Sequence, residues 1–231
     1  MQLTPVFRTQ LPQNAISVSD HGSVAEPLTP PDPAAGADGS TGGGDGLWAP
    51  HRRALTVGLV LTITLVASEA LAVTTILPAV EKDLGDIYLY GWVTSAFVLS
   101  SLIGIVVAGE QVDRWGPARP YAFGLTLFVT GLVVAGAAPS MLVLVAARVL
   151  QGLGAGVIPP VAYTAIGRSL PPTLRPRMFA VLSTAWVVPG LVGPGLSALV
   201  AEAVGWRWVF AGLVPLVMIA AGLALPSLRA V

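Results

Sequence analysis

The chain has 231 residues and a formal net charge of zero, and its residues are 54% apolar but only 10% charged. Its mean hydropathy is +0.78, whereas soluble domains carry about a quarter charged residues, so the composition indicates a membrane protein. A neutral chain gives no electrostatic reason to expect a nucleic-acid partner. Cysteine is absent, which excludes disulfides and thiol chemistry, and the two histidines, His21 and His51, lie outside the apolar segments and predict no metal or haem site.

Residues 1–50 are rich in proline, glycine, serine and aspartate. Such a segment buries too little apolar surface to offset the entropy lost on ordering, so we predict a disordered cytoplasmic tail. The start of the chain has neither the basic segment nor the uninterrupted apolar segment of a cleaved signal peptide. We therefore expect the first membrane span to act as an uncleaved signal.

Beyond the tail, the chain has six apolar stretches, each close to or above the roughly 20 residues that cross a bilayer as a helix. They are continuously apolar instead of alternating, which excludes a transmembrane β-barrel. The predicted fold class is therefore all-α, with a bundle of six transmembrane helices in residues 51–231. The predicted spans cover about 54–78, 89–109, 121–138, 141–167, 178–201 and 208–225.

Basic residues between the spans predict the orientation of the bundle. Only Lys82 and Arg207 fall on one side of the membrane, and eight arginines fall on the side that carries both termini. Because cytoplasmic segments carry the excess of Lys and Arg, both termini are predicted to be cytoplasmic. The chain has a single Lys and a single Asn, a bias typical of a high-G+C bacterial genome, so the predicted location is the bacterial inner (plasma) membrane. The arginines assigned to the cytoplasmic side are Arg52, Arg53, Arg114, Arg119, Arg168, Arg175, Arg177 and Arg229.

Two charged residues lie within the apolar spans, Glu69 in the first and Arg148 in the fourth. Each costs at least about 2.5 kcal/mol at the bilayer centre unless it is paired or hydrated. At the helical rise per residue both lie roughly 12–14 Å below the outer ends of their spans, so they are predicted to meet. A static ion pair that fixes helix packing is one interpretation. The other is a proton-coupling site, because desolvation favours protonated Glu69 whereas Arg148 favours the ionised form.

Glycines follow Arg148 along the fourth span. Gly152 and Gly156 lie at i+4 and i+8, on the same helix face as Arg148, and form a small-xxx-small pattern that predicts close helix packing. The string Gly152-x-Gly154-x-Gly156 follows no strand and lies in an apolar span, so it predicts no nucleotide site. Gln151 lies one turn from Arg148.

The fifth span has two prolines and several glycines, which predict a kinked helix that another helix approaches closely. The residues concerned are Pro189, Gly190, Gly193 and Pro194. Trp186, inside the same span, and Gln151 are predicted to line a substrate cavity. Between the second and third spans, a charged turn is predicted over Gly109–Gly116, with Asp113 and Arg114 at its centre.

These segments together resemble the N-terminal half of a major facilitator superfamily transporter, and they are most similar to the fourteen-spanner drug:proton antiporters. The turn matches the signature of that superfamily at Gly109, Asp113, Arg114 and Gly116, although Pro117 and Ala118 stand where basic residues normally follow. The resemblance implies a gate between inward and outward states.

Further matches lie in the spans themselves. The stretch from Arg148 to Gly156 resembles the motif whose arginine is implicated in proton transfer, and Gly193-Pro194 resembles the core of the antiporter motif. The stretch from Glu69 to Pro78 resembles a drug-antiporter motif that begins with aspartate. The resemblance therefore implies proton-coupled efflux of drugs or other small hydrophobic molecules by alternating access, energised by the proton gradient without a cofactor.

Transporters of this kind have two six-helix bundles around a midplane site, and the chain supplies one. We expect it to need a C-terminal six-helix half or self-association, because its charged face would otherwise confront lipid. A non-transporting membrane fragment or regulatory partner, and a superfamily member that moves a metabolite or nutrient, are the alternatives. No catalytic triad, metal cluster or phosphate loop predicts an enzyme.

Overall fold

The fold is described by a computed structural model for residues 46–230, with the side chains of Pro50 and His51 left out. Most of the predicted disordered tail therefore lies outside the described residues. Within residues 46–230 every regular element is an α-helix, and all six helices are long and apolar enough to cross a membrane. The helices are α1 (Pro50–Leu84), α2 (Ile87–Trp115), α3 (Ala118–Gly136), α4 (Met141–Ser169), α5 (Arg175–Val204) and α6 (Arg207–Arg229).

Helices α1, α2 and α5 extend several residues beyond the predicted spans. Apolar composition marks the part of a helix that lies in hydrocarbon, whereas backbone hydrogen bonding continues into the interface. The prediction of a charged turn over Gly109–Gly116 was wrong for this reason. Helix α2 continues to Trp115, so Gly109, Asp113 and Arg114 are helical.

Gly116 ends helix α2. Its φ of 74° lies in the left-handed region, and its amide donates to the carbonyl of Val112, a geometry that favours glycine at a helix C-terminus. The turn itself is therefore only Gly116 and Pro117, after which α3 begins at Ala118.

Helix α4 packs against α2 and α3, while α1 packs against α5 and α6, and α3 also contacts α6. Large side chains such as Leu59, Tyr121, Phe128 and Phe210 are almost completely buried between these helices. The hydroxyls of Thr62 and Tyr121 share a hydrogen bond of 2.7 Å between α1 and α3. The bundle therefore has a packed core of its own.

The glycines of α4 explain its central position. A Cβ atom added at Gly152 would collide with the Ser100 hydroxyl and the Phe97 carbonyl of α2, and one at Gly156 would collide with the Ser101 carbonyl. Small residues at these positions let the α2 and α4 backbones approach closely. The predicted packing role of Gly152 and Gly156 agrees with this geometry.

Candidate functional site

Three polar side chains from two helices meet inside the bundle. Glu69 lies on α1, and Arg148 and Gln151 lie one turn apart on α4. Arg148 Nη1 donates to Glu69 Oε1 and, at 3.0 Å, to Gln151 Oε1. Gln151 Nε2 in turn donates to Glu69 Oε1 at 3.0 Å. The contact that the depths of Glu69 and Arg148 predicted is therefore present.

Helix α2 supplies the other contacts of Arg148. Its Nε donates to the carbonyl of Val93 at 3.1 Å, and its guanidinium carbon lies 4.1 Å from the centre of the Phe97 ring. Sequence reasoning missed both residues, since a backbone carbonyl has no sequence signal and Phe97 is one apolar residue in an apolar span. A guanidinium held this way combines hydrogen bonds with a cation–π contact.

The expectation that these charged side chains would confront lipid was wrong. The relative exposures of Glu69, Arg148 and Gln151 are 0%, 1% and 0%. The cluster is enclosed by α1, α2, α3 and α4, and hydrogen bonds join its opposite charges and its amide. Burial in this form avoids the cost of a charge exposed to hydrocarbon.

One acceptor of the cluster remains unused. Glu69 Oε2 is buried and has no hydrogen-bond partner within residues 46–230. Its companion oxygen, Oε1, accepts from both Arg148 and Gln151. Because a buried acceptor without a partner is costly, a proton or a hydrogen-bond donor placed at Oε2 would remove that cost.

A cavity of about 340 Å³ lies beside the cluster, between α1, α2, α4 and α5. Four aromatic residues line it, namely Phe97, Tyr163, Phe179 and Trp186, and the rings of Tyr163 and Phe179 meet edge to face at 5.6 Å. Trp186 therefore lies where a cavity-lining role was predicted. Gln151 is buried in the cluster and does not line this cavity.

The glycines of α5 are not packed as predicted. A Cβ atom at Gly190 or Gly193 would meet nothing within 4 Å, so neither has a close helix neighbour within the described part of the chain. Helix α5 buries a different stripe, which includes Leu182, Ala185 and Pro189. Pro189 and Gly193 line a second cavity, of about 360 Å³, between α1, α5 and α6, and Pro194 lies within the unbroken helix.

The residues of the predicted gating segment lie at one end of the bundle, away from the cluster. Asp113 and Arg114 are exposed on the last turn of α2. The same end carries Arg119, Arg168 and Arg229, whereas Asp83 and Arg207 form an ion pair of 2.5 Å at the other end. The basic residues thus separate as the sequence indicated.

The family model described as Major Facilitator Superfamily matches residues 51–230, which include all six helices. The chain belongs to the Major Facilitator Superfamily. Its family and fold are those of membrane transporters, and the family resemblance drawn from the motifs is confirmed.

Curated relatives of this superfamily member are named as multidrug transporters. Multidrug resistance protein 3 of Bacillus subtilis is 31% identical over 70% of the chain and 32% of the relative. A probable multidrug-efflux transporter of Mycobacterium tuberculosis is 34% identical over 68% of the chain and 34% of the relative. The chain therefore spans about a third of the length of these relatives.

A solved structure shows the same fold. The crystal structure of a D-xylose–proton symporter aligns with a TM-score of 0.67 and 14% identity, over 74% of this chain and 47% of that one. At this identity the similarity concerns the fold alone. It supports the assignment of the six helices to about half of a major facilitator structure.

Proposed function

We propose that the chain forms the N-terminal six-helix half of a proton-coupled exporter of drugs or other small hydrophobic molecules. The buried cluster of Glu69, Arg148 and Gln151 beside an aromatic cavity carries this proposal. The relatives that are named as multidrug transporters support the drug class. No enzymatic step is part of the proposed function.

Protonation of Glu69 is the proposed coupling event. With both side chains ionised, the pair of Glu69 and Arg148 is neutral and hydrogen-bonded. Protonation would leave Arg148 as an uncompensated charge inside the bundle, which costs several kcal/mol. The bundle would therefore favour another arrangement in which the guanidinium gains water or a new partner, and such a differential preference is what couples a proton to a conformational change.

The cavity beside the cluster is the proposed substrate site. Its lining is mainly apolar and aromatic, which suits a hydrophobic molecule. Phe97 lines this cavity and also contacts the Arg148 guanidinium. A ligand that displaces the Phe97 ring would thereby alter the environment of Arg148, so that substrate and proton compete through one side chain.

A C-terminal six-helix half, or a second copy of this chain, is the proposed partner, since a site between two bundles needs both walls. The proposed location is the bacterial plasma membrane with both termini in the cytoplasm. The proton gradient supplies the energy, and no cofactor is invoked. Chemical crosslinking in native membranes checks the partner requirement: a chain that migrates only as a protease-resistant monomer would contradict it.

The test of the proton-coupling role is Glu69→Gln in the assembled transporter, with Glu202→Gln, an exposed acid on α5, as the matched control. With the two variants compared at equal amounts in the membrane, we expect the Glu69 variant to lose efflux driven by a pH gradient in inverted vesicles. The control should retain it. Efflux that continues in the Glu69 variant would remove this residue from the mechanism and leave the ion pair with a packing role.

A further inference from the structure

An arginine-lined cavity lies at the end of the bundle that carries most of the arginines. Arg119 from the start of α3, Arg168 from the end of α4 and Arg229 from the end of α6 line one cavity of about 450 Å³. The three residues are far apart in the sequence, so the tertiary fold, not a basic run, brings them together.

The charge of this cavity is unbalanced. In the described part of the chain the ion pairs are Glu69–Arg148 and Asp83–Arg207, and no carboxylate pairs with any arginine of the cavity. Ala118, at the positive N-terminal end of α3, also lines it. Like charges gathered without a counter-ion repel one another, and a bound anion would remove that repulsion.

A buried hydroxyl lies beside Arg168. Arg168 also lines a second cavity, of about 580 Å³, together with Ser169. The Ser169 hydroxyl is buried and lacks a hydrogen-bond partner among the described residues. Guanidinium and hydroxyl groups are the donors that recognise phosphate oxygens.

The surroundings of the cavity favour a lipid over a soluble anion. Ala122, Leu225 and Leu228 line the same cavity as the arginines, so apolar and cationic surfaces adjoin. Trp115, which is 56% exposed, also lines it, as expected of a tryptophan at a membrane interface. A phospholipid whose phosphate is bound at the arginines would place its acyl chains against the apolar surface of the helices.

We propose that the arginine-lined cavity binds the phosphate headgroup of an anionic phospholipid, with Arg168 at the centre of the site. Basic pockets between transmembrane helices are suited to anionic headgroups. The site lies at the opposite end of α4 from its start at Met141 and uses none of the side chains of the Glu69–Arg148–Gln151 cluster. Binding can therefore be measured whether or not the chain transports.

The test is native mass spectrometry of the full chain in detergent, titrated with phosphatidylglycerol or phosphatidylcholine. We expect phosphatidylglycerol to bind more tightly, and the double variant R168Q/R229Q to weaken its binding about thirtyfold, on the scale expected for two arginines near an anionic lipid. The matched control R53Q/R177Q removes two exposed arginines that line neither cavity and should bind as the unaltered chain does. Circular dichroism establishes that the variants are folded.

Four outcomes would overturn the proposal. They are equal binding of the two lipids, an equal loss in the control, displacement of phosphatidylglycerol by glycerol phosphate at comparable concentration, and retained binding by the single-site variant R168Q. The third outcome would indicate a site for soluble phosphates. The fourth outcome would remove Arg168 from the centre of the site.

Discussion

Arg148 has more contacts than an ion pair needs. Glu69, Gln151, the Val93 carbonyl and the Phe97 ring surround its guanidinium. Only a planar group with several donors can satisfy these contacts together. A cluster that only joined helices could be replaced by apolar side chains with little loss of stability, so the number of polar contacts favours a role that needs charge.

Removal of one charge of the Glu69–Arg148 pair should lower the stability of the bundle more than removal of both charges. We expect Arg148→Met to destabilise the bundle by about 3–5 kcal/mol, because it leaves Glu69 ionised and buried without its cation. The double variant E69Q/R148M should recover most of that loss. Unfolding in mixed micelles followed by circular dichroism measures both, and a double variant as unstable as Arg148→Met would contradict the idea that the unpaired charge is the cause.

Phe97 should couple the cavity to the pair of charges. We expect Phe97→Ala to weaken substrate binding in the assembled transporter and to shift the pH dependence of efflux, because the ring contacts both the cavity and Arg148. Phe179→Ala is the matched control, since Phe179 lines the same cavity and its ring packs against Tyr163. A pH profile that moves equally in both variants would assign Phe97 to substrate binding alone.

At the scale of the element, the contact between α2 and α4 depends on the absence of a side chain. We expect Gly152→Ala to destabilise the bundle by about 1–3 kcal/mol, since its Cβ atom would collide with α2 and force the helices apart. Gly190→Ala is the control, because nothing lies within 4 Å of its added Cβ atom and alanine favours the helix. Equal thermal stability of the two variants would contradict the close packing.

The end of α2 is the element to which a gating role was assigned. We expect Asp113→Ala to lower the rate of turnover more than the affinity for substrate, because Asp113 is exposed at the end of the helix and remote from the cavity. Glu110→Ala removes an acid from the same helix at a position that the superfamily signature leaves unspecified, and it should change neither. An unchanged turnover rate in the Asp113 variant would withdraw the gating assignment.

At the scale of the whole molecule, the sequence was sufficient to predict the six helices and one long-range contact. Apolar runs locate the spans, and depth along α1 and α4 places Glu69 opposite Arg148. The enclosure of that pair depends on α2, whose residues Val93 and Phe97 have no distinctive pattern. The absence of a close neighbour at Gly190 could not be predicted either, because a glycine in a helix is compatible with close packing but does not show which helix, if any, packs against it.

Orientation in the membrane should follow the separation of basic residues at the two ends of the bundle. The chain contains no cysteine, so a single introduced thiol reports its own side. We expect a membrane-impermeant maleimide to label Lys82→Cys in intact cells and to label Ala230→Cys only after the membrane is opened, because most arginines lie at the end that includes Ala230. The unaltered chain is the blank. Labelling of Ala230→Cys in intact cells, with Lys82→Cys protected, would reverse the orientation and place the arginine-lined cavity in the outer leaflet.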